Sequence, residues 1–164
     1  VAPGTCQDGP VDISARTDYA IRALLSLAAA HAGGIASVPA ESLASEQELP
    51  RKFLEAILAD LRRGGLVVSQ RGSAGGYRLA LPAEELTLGM VVRTVDGPLA
   101  EVRGLRPHQT AYEGVAEHLP VVWVALRASM RHVLDGVTLA DLVAGELPEH
   151  VRGLAEEPDA WLPR

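Results

Sequence analysis

Cysteine is nearly absent from this sequence, since Cys6 is the one example in 164 residues. A single cysteine cannot form a disulfide within the chain, and this usage fits a reducing cytoplasm. No apolar run is long enough to span a bilayer, because the stretch 24–30 is soon interrupted by His31 and Gly33. The first residues lack a basic start followed by an apolar run, so we expect no secretory signal, no membrane attachment and a cytoplasmic location.

Signatures of enzymes are missing as well. The sequence has no serine–histidine–carboxylate order, no nucleophile elbow and no paired metal motif, and Cys6 has no evident base nearby. The glycine-rich segment 72–76 lacks the Gly-Lys-Ser/Thr ending of a phosphate-binding loop and precedes a predicted strand. We therefore expect a protein that is not an enzyme.

Positive charge is scarce and unevenly placed. The net charge is −6, from 15 Lys and Arg against 21 Asp and Glu. Residues 47–78 are the exception, because they hold six basic and three acidic residues, whereas both flanking parts are acidic. Screening acts over roughly 8 Å at physiological salt, so this local excess matters more for phosphate contact than the total charge. The apolar fraction of 48% is enough to build a core.

The basic part has the pattern of a helix followed by a hairpin. Apolar residues at helical spacing predict a helix over 51–63 with one buried stripe, made of Leu54, Ile57, Leu58 and Leu61. Two glycines end that helix. The apolar run 66–68 and the returning segment 77–79 (Tyr-Arg-Leu) predict two strands joined by a turn that carries Arg71. This is the layout of a winged helix, in which the helix enters a DNA groove and the wing contacts the DNA beside that groove.

Two further helices are predicted before this unit. The first begins with Ser14 or Thr17 as N-cap, and the second covers about 40–47 and is followed by a turn into Pro50. A short strand is predicted over 35–38. Two short helices joined by a tight turn, after one longer helix, make a helix-turn-helix.

A long helix is the main feature after the wing. Thr87 is predicted to cap a helix through Val95, residues 99–116 to form a loop, and the long helix to cover 119–135, followed by a short helix over 138–145. Apolar residues on the long helix recur in steps of three and four, at Trp123, Leu126, Met130 and Val133, with Val137 just beyond. That spacing is typical of a two-helix seam. The alternative is an ordinary core helix, but a small winged helix already has a core, so we favour the seam.

The sequence thus predicts a mostly α fold with a small β-wing, a winged helix-turn-helix plus a long C-terminal dimerisation helix. No internal repeat or low-complexity tract interrupts this order. The predicted segments are a flexible leader (1–12), a winged-helix DNA-binding domain (13–81), a linker helix and loop forming a sensor region (82–116), the dimerisation helix and short terminal helix (117–145), and an acidic tail (146–164).

Four segments resemble the Rrf-two family of winged-helix repressors, whose members include iron–sulfur cluster regulators, a nitric-oxide sensor and a repressor of cysteine metabolism. The segments are ISARTDYAIRALLSLA (13–28), FLEAILADLRRGGLVVSQRGSAGGYRL (53–79), LTLGMVVRTVDGPL (86–99) and VTLADL (137–142). The wing sequence, RG-x-x-GGYRL after GLV-x-S, is the most specific of these. The resemblance covers about residues 13–145 in the family's order.

The resemblance implies a bacterial transcription regulator, with repression as the expected mode of action. Family members are homodimers whose long helices cross between subunits, and they bind operators of near-dyad symmetry in double-stranded DNA. The resemblance further implies that Glu55 helps to select sequence, where it could accept a hydrogen bond from a cytosine amino group. It also makes Arg71 a candidate for insertion into the minor groove.

The remaining candidates for DNA contact lie on the same two elements. Ser69, Gly75 and Gly76 match wing positions where small residues let the backbone approach phosphate. Phosphate contact by Arg51 and Lys52 is inferred from their charge. The full set of candidates is Arg51, Lys52, Glu55, Ser69, Arg71, Gly75, Gly76 and Tyr77.

The sensor region departs from the family's pattern. Cluster-binding members carry three cysteines between the GPL segment and the long helix, and this sequence has none there. Glu117 stands where the third cysteine would be, and Pro120 replaces an assisting histidine. Cys6 alone cannot supply the thiolates that an iron–sulfur centre needs. We therefore expect no cofactor, and a small-molecule effector or a partner protein as the signal.

Two alternatives remain open. Four side chains could bind a metal such as zinc through nitrogen and oxygen ligands and so form a sensor without cysteine, although their spacing follows no motif; they are His108, Glu113, Glu117 and His118. The chain could also be a protein-interaction module that has kept the dimer and lost operator binding. The intact wing argues against that second alternative.

Overall fold

The computed structural model describes residues 13–72 and 75–163. The predicted leader 1–12 and the wing tip at Ser73 and Ala74 therefore lie outside the described residues. The elements are α1 (Ala15–Ala32), α2 (Ala40–Glu46), α3 (Arg51–Arg63), β1 (Val67–Gln70), β2 (Gly76–Leu79), α4 (Leu88–Val95), α5 (Leu119–Leu134), α6 (Leu139–Ala144) and α7 (Glu149–Ala155). This order confirms the predicted mostly helical fold with a small wing. Within the described residues, no helix combines the length and the apolar character needed to cross a bilayer.

Polar side chains fix the start of α1. The Ser14 hydroxyl accepts a hydrogen bond from the Thr17 amide at 3.0 Å, which confirms Ser14 as the N-cap. The hydroxyls of Ser14 and Thr17 each donate to the carboxylate of Asp96 at 2.7 Å. Asp96 follows α4, and a negative charge beside a helix N-terminus stabilises the helix. These bonds join the start of α1 to the end of α4.

The apolar stripe of α3 lies at the centre of the core. Its predicted members are all fully buried: Leu54, Ile57, Leu58 and Leu61. Each leucine of this kind stabilises the fold by roughly 1.5–3 kcal/mol relative to an exposed one. The same cluster contains residues from beyond the predicted boundary at 81, namely Leu86, Val91 and Leu139. The winged helix therefore shares one core with α4 and α6.

The wing is an antiparallel hairpin with a third segment at its edge. In the hairpin, Val67 lies opposite Leu79 and Ser69 opposite Tyr77. The Tyr77 amide donates to the Val38 carbonyl at 2.8 Å, and the Val38 amide donates to the Tyr77 carbonyl at 2.9 Å. These two hydrogen bonds join the backbone before α2 to β2 and so position the wing relative to the helix-turn-helix.

The strand predicted over 35–38 is reduced to a single bridge at Val38. Pro39 follows directly as the N-cap of α2 and has no amide N–H, so the ladder cannot continue. Gly76 makes the close approach possible, because a Cβ there would overlap the Val38 carbonyl and lie 2.8 Å from the Pro39 nitrogen.

Two capped helix starts lie side by side after the wing. The Thr87 hydroxyl caps α4, as predicted. The Thr138 hydroxyl accepts from the Asp141 amide at 3.1 Å, and the Asp141 carboxylate accepts from the Thr138 amide at 2.8 Å. This reciprocal pair is a capping box that begins α6. A backbone bridge between Thr87 and Thr138 joins the two segments.

The helix α5 lies at the margin of the molecule, and none of its residues is buried. Four of its large apolar side chains are exposed, with exposed fractions between 43% and 69%: Val121, Val122, Val124 and Leu126. A helix with so much uncovered apolar surface is typical of an interaction surface rather than of a monomer's outer layer.

The acidic tail contains one helix, α7, for which the sequence analysis gave no element. The local signal is weak there, because Pro148 offers no side-chain cap and the helix contains Gly153. His150 of α7 places its Nε2 3.0 Å from the carbonyl oxygen of His132 on α5, and the two imidazole rings lie 4.3 Å apart. The tail helix therefore packs against α5.

Candidate nucleic-acid interface

The outer face of α3 carries the side chains predicted to meet DNA. Arg51 and Lys52 are exposed in its first turn, and Glu55 is half-buried one turn later. Pro50 is the N-cap of α3, where its missing amide N–H costs no hydrogen bond. Because the opposite face of α3 is the buried stripe, packing of the core orients these three polar side chains outward.

Arg51 and Glu55 form an ion pair on this face. The Arg51 Nε donates to the Glu55 Oε1 at 2.8 Å, and the Arg51 Nη1 lies 3.8 Å from the Glu41 Oε2 on α2. The hydrogen bond and the charge of Glu55 raise the pKa of Arg51 above its ordinary value. The positive charge of Arg51 offsets the repulsion that a carboxylate would meet from a polyanion, and the hydrogen bond favours one position of the Glu55 side chain.

The last turn of α3 is joined both to α1 and to the wing. The Asp60 carboxylate pairs with Arg16 of α1 and with Arg63. The Arg62 Nη1 donates to the Ser69 hydroxyl of β1 at 3.4 Å. Arg63 is thus held within the protomer, and Arg62 connects α3 with the wing.

The wing presents one unpaired arginine. Arg71 is exposed and makes no hydrogen bond or ion pair with another described residue. A Cβ on Gly75 would lie 2.7 Å from two carbonyl oxygens of the turn, so Gly75, like Gly76, is required by the chain's own backbone contacts. Tyr77 is half-buried against the core and contributes its backbone to the bridge with Val38.

Comparison with known proteins shows which family this chain belongs to. The family model Rrf2, described as an iron-dependent transcriptional regulator, matches residues 13–145. The protein Rv1287 of Mycobacterium tuberculosis (strain H37Rv) is named as an HTH-type (helix-turn-helix) transcriptional regulator. It is 47% identical to this chain over 145 residues, which cover 88% of this chain and 89% of Rv1287. The HTH-type transcriptional regulator CymR of Bacillus subtilis is 32% identical over 132 residues, covering 80% and 89% of the two chains. This chain belongs to the Rrf2 family.

Solved structures of Rrf2 relatives have the same fold. The structure of CymR, described as the global cysteine regulator of B. subtilis, has a TM-score of 0.69 at 30% identity and covers 82% of this chain and 97% of CymR. The structure of IscR from T. potens has a TM-score of 0.63 at 30% identity and covers 82% and 87% of the two chains. The family resemblance and the winged-helix fold are confirmed. The relatives are transcriptional regulators, not enzymes, which confirms that expectation as well.

The residues of this Rrf2 protein do not fit an iron–sulfur cluster. Residues 99–118, between α4 and α5, contain no cysteine, and a cluster requires thiolate ligands. Within the described ranges, no three His, Cys, Asp or Glu side chains come together to hold a metal ion. The Nε2 of His118 lies 3.3 Å from the Oε1 of its neighbour Glu117. The predicted metal-binding alternative thus gains no support from the packing of this segment.

The predicted dimerisation residues have different surroundings in this Rrf2 chain. On α5, Leu126 is 43% exposed, and Trp123, Met130 and Val133 are half-buried. The Trp123 Nε1 is shielded from solvent and has no hydrogen-bond partner among the described residues. Val137 is 2% exposed, so packing within the protomer leaves it little surface for a second chain.

Some features of the site have a signal in sequence and others have none. The spacing of Arg51 and Glu55 is the four-residue step at which helix side chains meet, so that ion pair could have been found. The pairing of Arg16 with Asp60 joins residues 44 apart, and nothing in the local pattern indicates it.

Proposed function

We propose that this Rrf2 protein acts as a homodimer that binds a near-dyad operator and represses transcription. In each subunit α3 enters the major groove, where Glu55 accepts a hydrogen bond from a cytosine amino group. Arg71 anchors the wing in the adjacent minor groove, where negative potential attracts arginine. Lys52 contacts phosphate, which positions the helix without carrying sequence information.

The observation that supports this function best is the junction of α3 with the wing. An exposed hydrogen bond of 3.4 Å from Arg62 to Ser69 connects α3 with the wing. Two backbone hydrogen bonds between Val38 and Tyr77 hold the wing against the helix-turn-helix. Specific contacts in two adjacent grooves require one relative position of the two elements. The helix that reads bases and the wing that contacts the DNA backbone therefore have to be fixed relative to each other.

The exposed face of α5 supports the homodimer. Its exposed apolar side chains, Leu126 among them, form a surface that a second copy of the helix would cover. A two-fold symmetric protein presents two copies of α3 to DNA, and an operator of near-dyad symmetry provides the two matching half-sites.

The signal in this proposal is a small molecule or a partner protein rather than an iron–sulfur cluster. It binds between α5 and the winged helix and changes the separation of the two α3 helices. A ligand can do so only if it binds one of the two arrangements more tightly than the other.

Recovery of bound fragments from genomic DNA, followed by gel retardation, tests the function. We expect the protein to select a small set of fragments that share a near-dyad sequence. The Arg71→Ala variant should bind them roughly tenfold or more weakly, because each subunit loses a minor-groove contact. Arg152→Ala on α7 is the matched control, and its affinity should equal that of the wild type. No retarded band at low salt, or full affinity of the Arg71→Ala variant, would contradict the proposal.

A further inference from the structure

A cleft of about 300 Å³ between α4 and α5 is lined almost wholly by charged side chains. Four guanidinium groups meet there around one carboxylate, in a protein whose net charge is −6. The lining residues are Arg93 on α4, Leu99 and Arg106 in the segment that follows α4, and Arg127, Arg131 and Asp135 on α5 or at its C-cap.

The carboxylate in this arginine cleft is already paired. The Asp135 Oδ1 lies 2.8 Å from the Arg93 Nη2, and the Asp135 Oδ2 lies 3.5 Å from the Arg131 Nε. Arg106 and Arg127 make no ion pair with a carboxylate in the part of the chain that the structure describes. Like charges that share a partly enclosed space repel one another, and a bound anion would remove that electrostatic cost.

Gly89 on α4 allows this arrangement to form. A Cβ on Gly89 would overlap the Asp135 Oδ1 and lie 3.1 Å from the Arg93 Nη1. Because glycine has no side chain, the Asp135 carboxylate reaches α4 and lies within ion-pair distance of both Arg93 and Arg131. Arg93 and Arg131 thus share one carboxylate, beside two arginines that make no ion pair with a described carboxylate.

We infer that the arginine cleft binds a small dianion, a phosphate or dicarboxylate compound, with Arg106 and Arg127 as its main contacts. The planar guanidinium group donates two parallel hydrogen bonds to carboxylate or phosphate oxygens, and such charge-assisted bonds are stronger than neutral ones. A volume of about 300 Å³ is at the lower end of the range for ligand pockets, which suits a small metabolite.

The position of the cleft favours a free anion over the phosphates of DNA. Its lining comes from α4, α5 and the segment between them, and it includes no residue of α3 or of the wing. An anion bridging α4 and α5 stabilises one arrangement of those two helices. Since α4 also packs against α3, that arrangement is transmitted to the DNA-reading surface. The inference rests on the proposed function for this effect on DNA, but not for binding of the anion.

Calorimetric titration of the full chain with inorganic phosphate and with succinate, in the absence of DNA, tests the binding site. Acetate and chloride are the monoanion controls, and ionic strength is held at about 0.15 M so that general screening is constant. We expect at least one dianion to bind with one site per chain and the monoanions to give no saturable signal. Arg106→Gln and Arg127→Gln should each weaken binding about tenfold or more, because each removes a charge-assisted contact.

The matched control is Arg22→Gln, which removes the same charge from α1 outside the cleft and should leave dianion binding unchanged. Circular dichroism of the two cleft variants verifies that they fold. Absence of saturable binding by both dianions, or unchanged binding in both folded cleft variants, would overturn the site.

A second measurement separates the effector role from the proposed function. The dianion that binds is added to the wild-type protein on its operator, and the operator affinity should change at least threefold. Loss of operator affinity in Arg106→Gln without any anion would instead assign the cleft to DNA phosphate and overturn the inference. If the protein binds operator DNA with an affinity that the dianion does not change, the effector role is wrong and the proposed function stands.

Discussion

Glu55 is the side chain on which sequence selection depends in this account. Its carboxylate accepts a hydrogen bond from Arg51 in the free chain, so under the proposed function it would enter the groove already paired. Arg51 was predicted to contact phosphate from its charge alone, and that role stays a prediction. The structure adds that Arg51 is also the partner that holds Glu55.

Replacing Glu55 tests its role as a base reader. Glu55→Ala, which removes the acceptor, should cost roughly 1–3 kcal/mol on an operator with the preferred cytosine and much less on operators changed at that base pair. The free energy of unfolding should change by no more than about 0.5 kcal/mol, because Glu55 is only half-buried. Competition binding with single-base operator variants measures the preference. An unchanged ranking of those variants would remove Glu55 from the reading surface.

Gly76 tests how tightly the wing is held. Gly76→Ala should lower the free energy of unfolding by roughly 1–3 kcal/mol, because the new methyl group overlaps the Val38 carbonyl and the backbone has to move. Gly33→Ala is the control, since a Cβ there would meet its nearest neighbour at 3.4 Å. Urea unfolding of both variants gives the comparison. Equal stabilities would mean that the wing does not depend on this close approach.

The long helix α5 carries large apolar side chains that are exposed in the single chain. These are Val121, Val122, Val124 and Leu126, whereas Trp123, Met130 and Val133 are half-buried. Burial of exposed apolar surface is worth roughly 25 cal/mol per Å². A second copy of the helix is the covering that the two-helix spacing of Trp123, Leu126, Met130 and Val133 predicts.

A charge on α5 should separate the subunits. Leu126→Asp is expected to yield a folded monomer in sedimentation velocity, because a carboxylate buried in an apolar interface cannot be solvated. Val143→Asp on α6 is the matched control, since Val143 is 42% exposed and Leu126 is 43% exposed. The control should sediment as a dimer. If Leu126→Asp also remains dimeric, α5 is not the dimerisation helix.

The capping box of α6 should make stability depend on acid pH. The amide and hydroxyl of Thr138 hold the pKa of Asp141 below its ordinary value. A depressed pKa in the folded state means that the stabilisation is complete at neutral pH and is lost as the pH falls below about 4. Asp141→Ala should therefore be less stable than the wild type at pH 7, and the difference should shrink at pH 3. Chemical denaturation at both pH values measures it, and a difference that does not depend on pH would exclude the ionised cap.

Local signals predicted most of these elements, and contacts between distant residues account for what they missed. The caps at Ser14 and Thr87 and the buried stripe of α3 depend on residues within one or two turns, so the sequence order suffices. The bond from Ser14 to Asp96 spans 82 residues, and the arginine cleft collects side chains from α4, α5 and the segment between them. Such groupings arise only when the helices pack.

The molecule as a whole separates charge between a basic reading surface and an acidic remainder. The six basic residues in 47–78 stand in a protein of net charge −6. Electrostatic attraction to arbitrary DNA should therefore be weak, and two correctly spaced half-sites are needed to give high affinity. High affinity for DNA is therefore expected to require the proposed homodimer, because one reading surface alone contributes too little binding free energy.

The stoichiometry of binding to a selected fragment tests this account most directly. A labelled duplex, held well above its dissociation constant, is titrated with the protein while fluorescence anisotropy is recorded. We predict a break at two chains per duplex, and a strong loss of affinity when either half of the near-dyad sequence is scrambled. A break at one chain per duplex, or equal binding of the half-scrambled duplex, would contradict the proposal that paired α3 helices and wings read the operator.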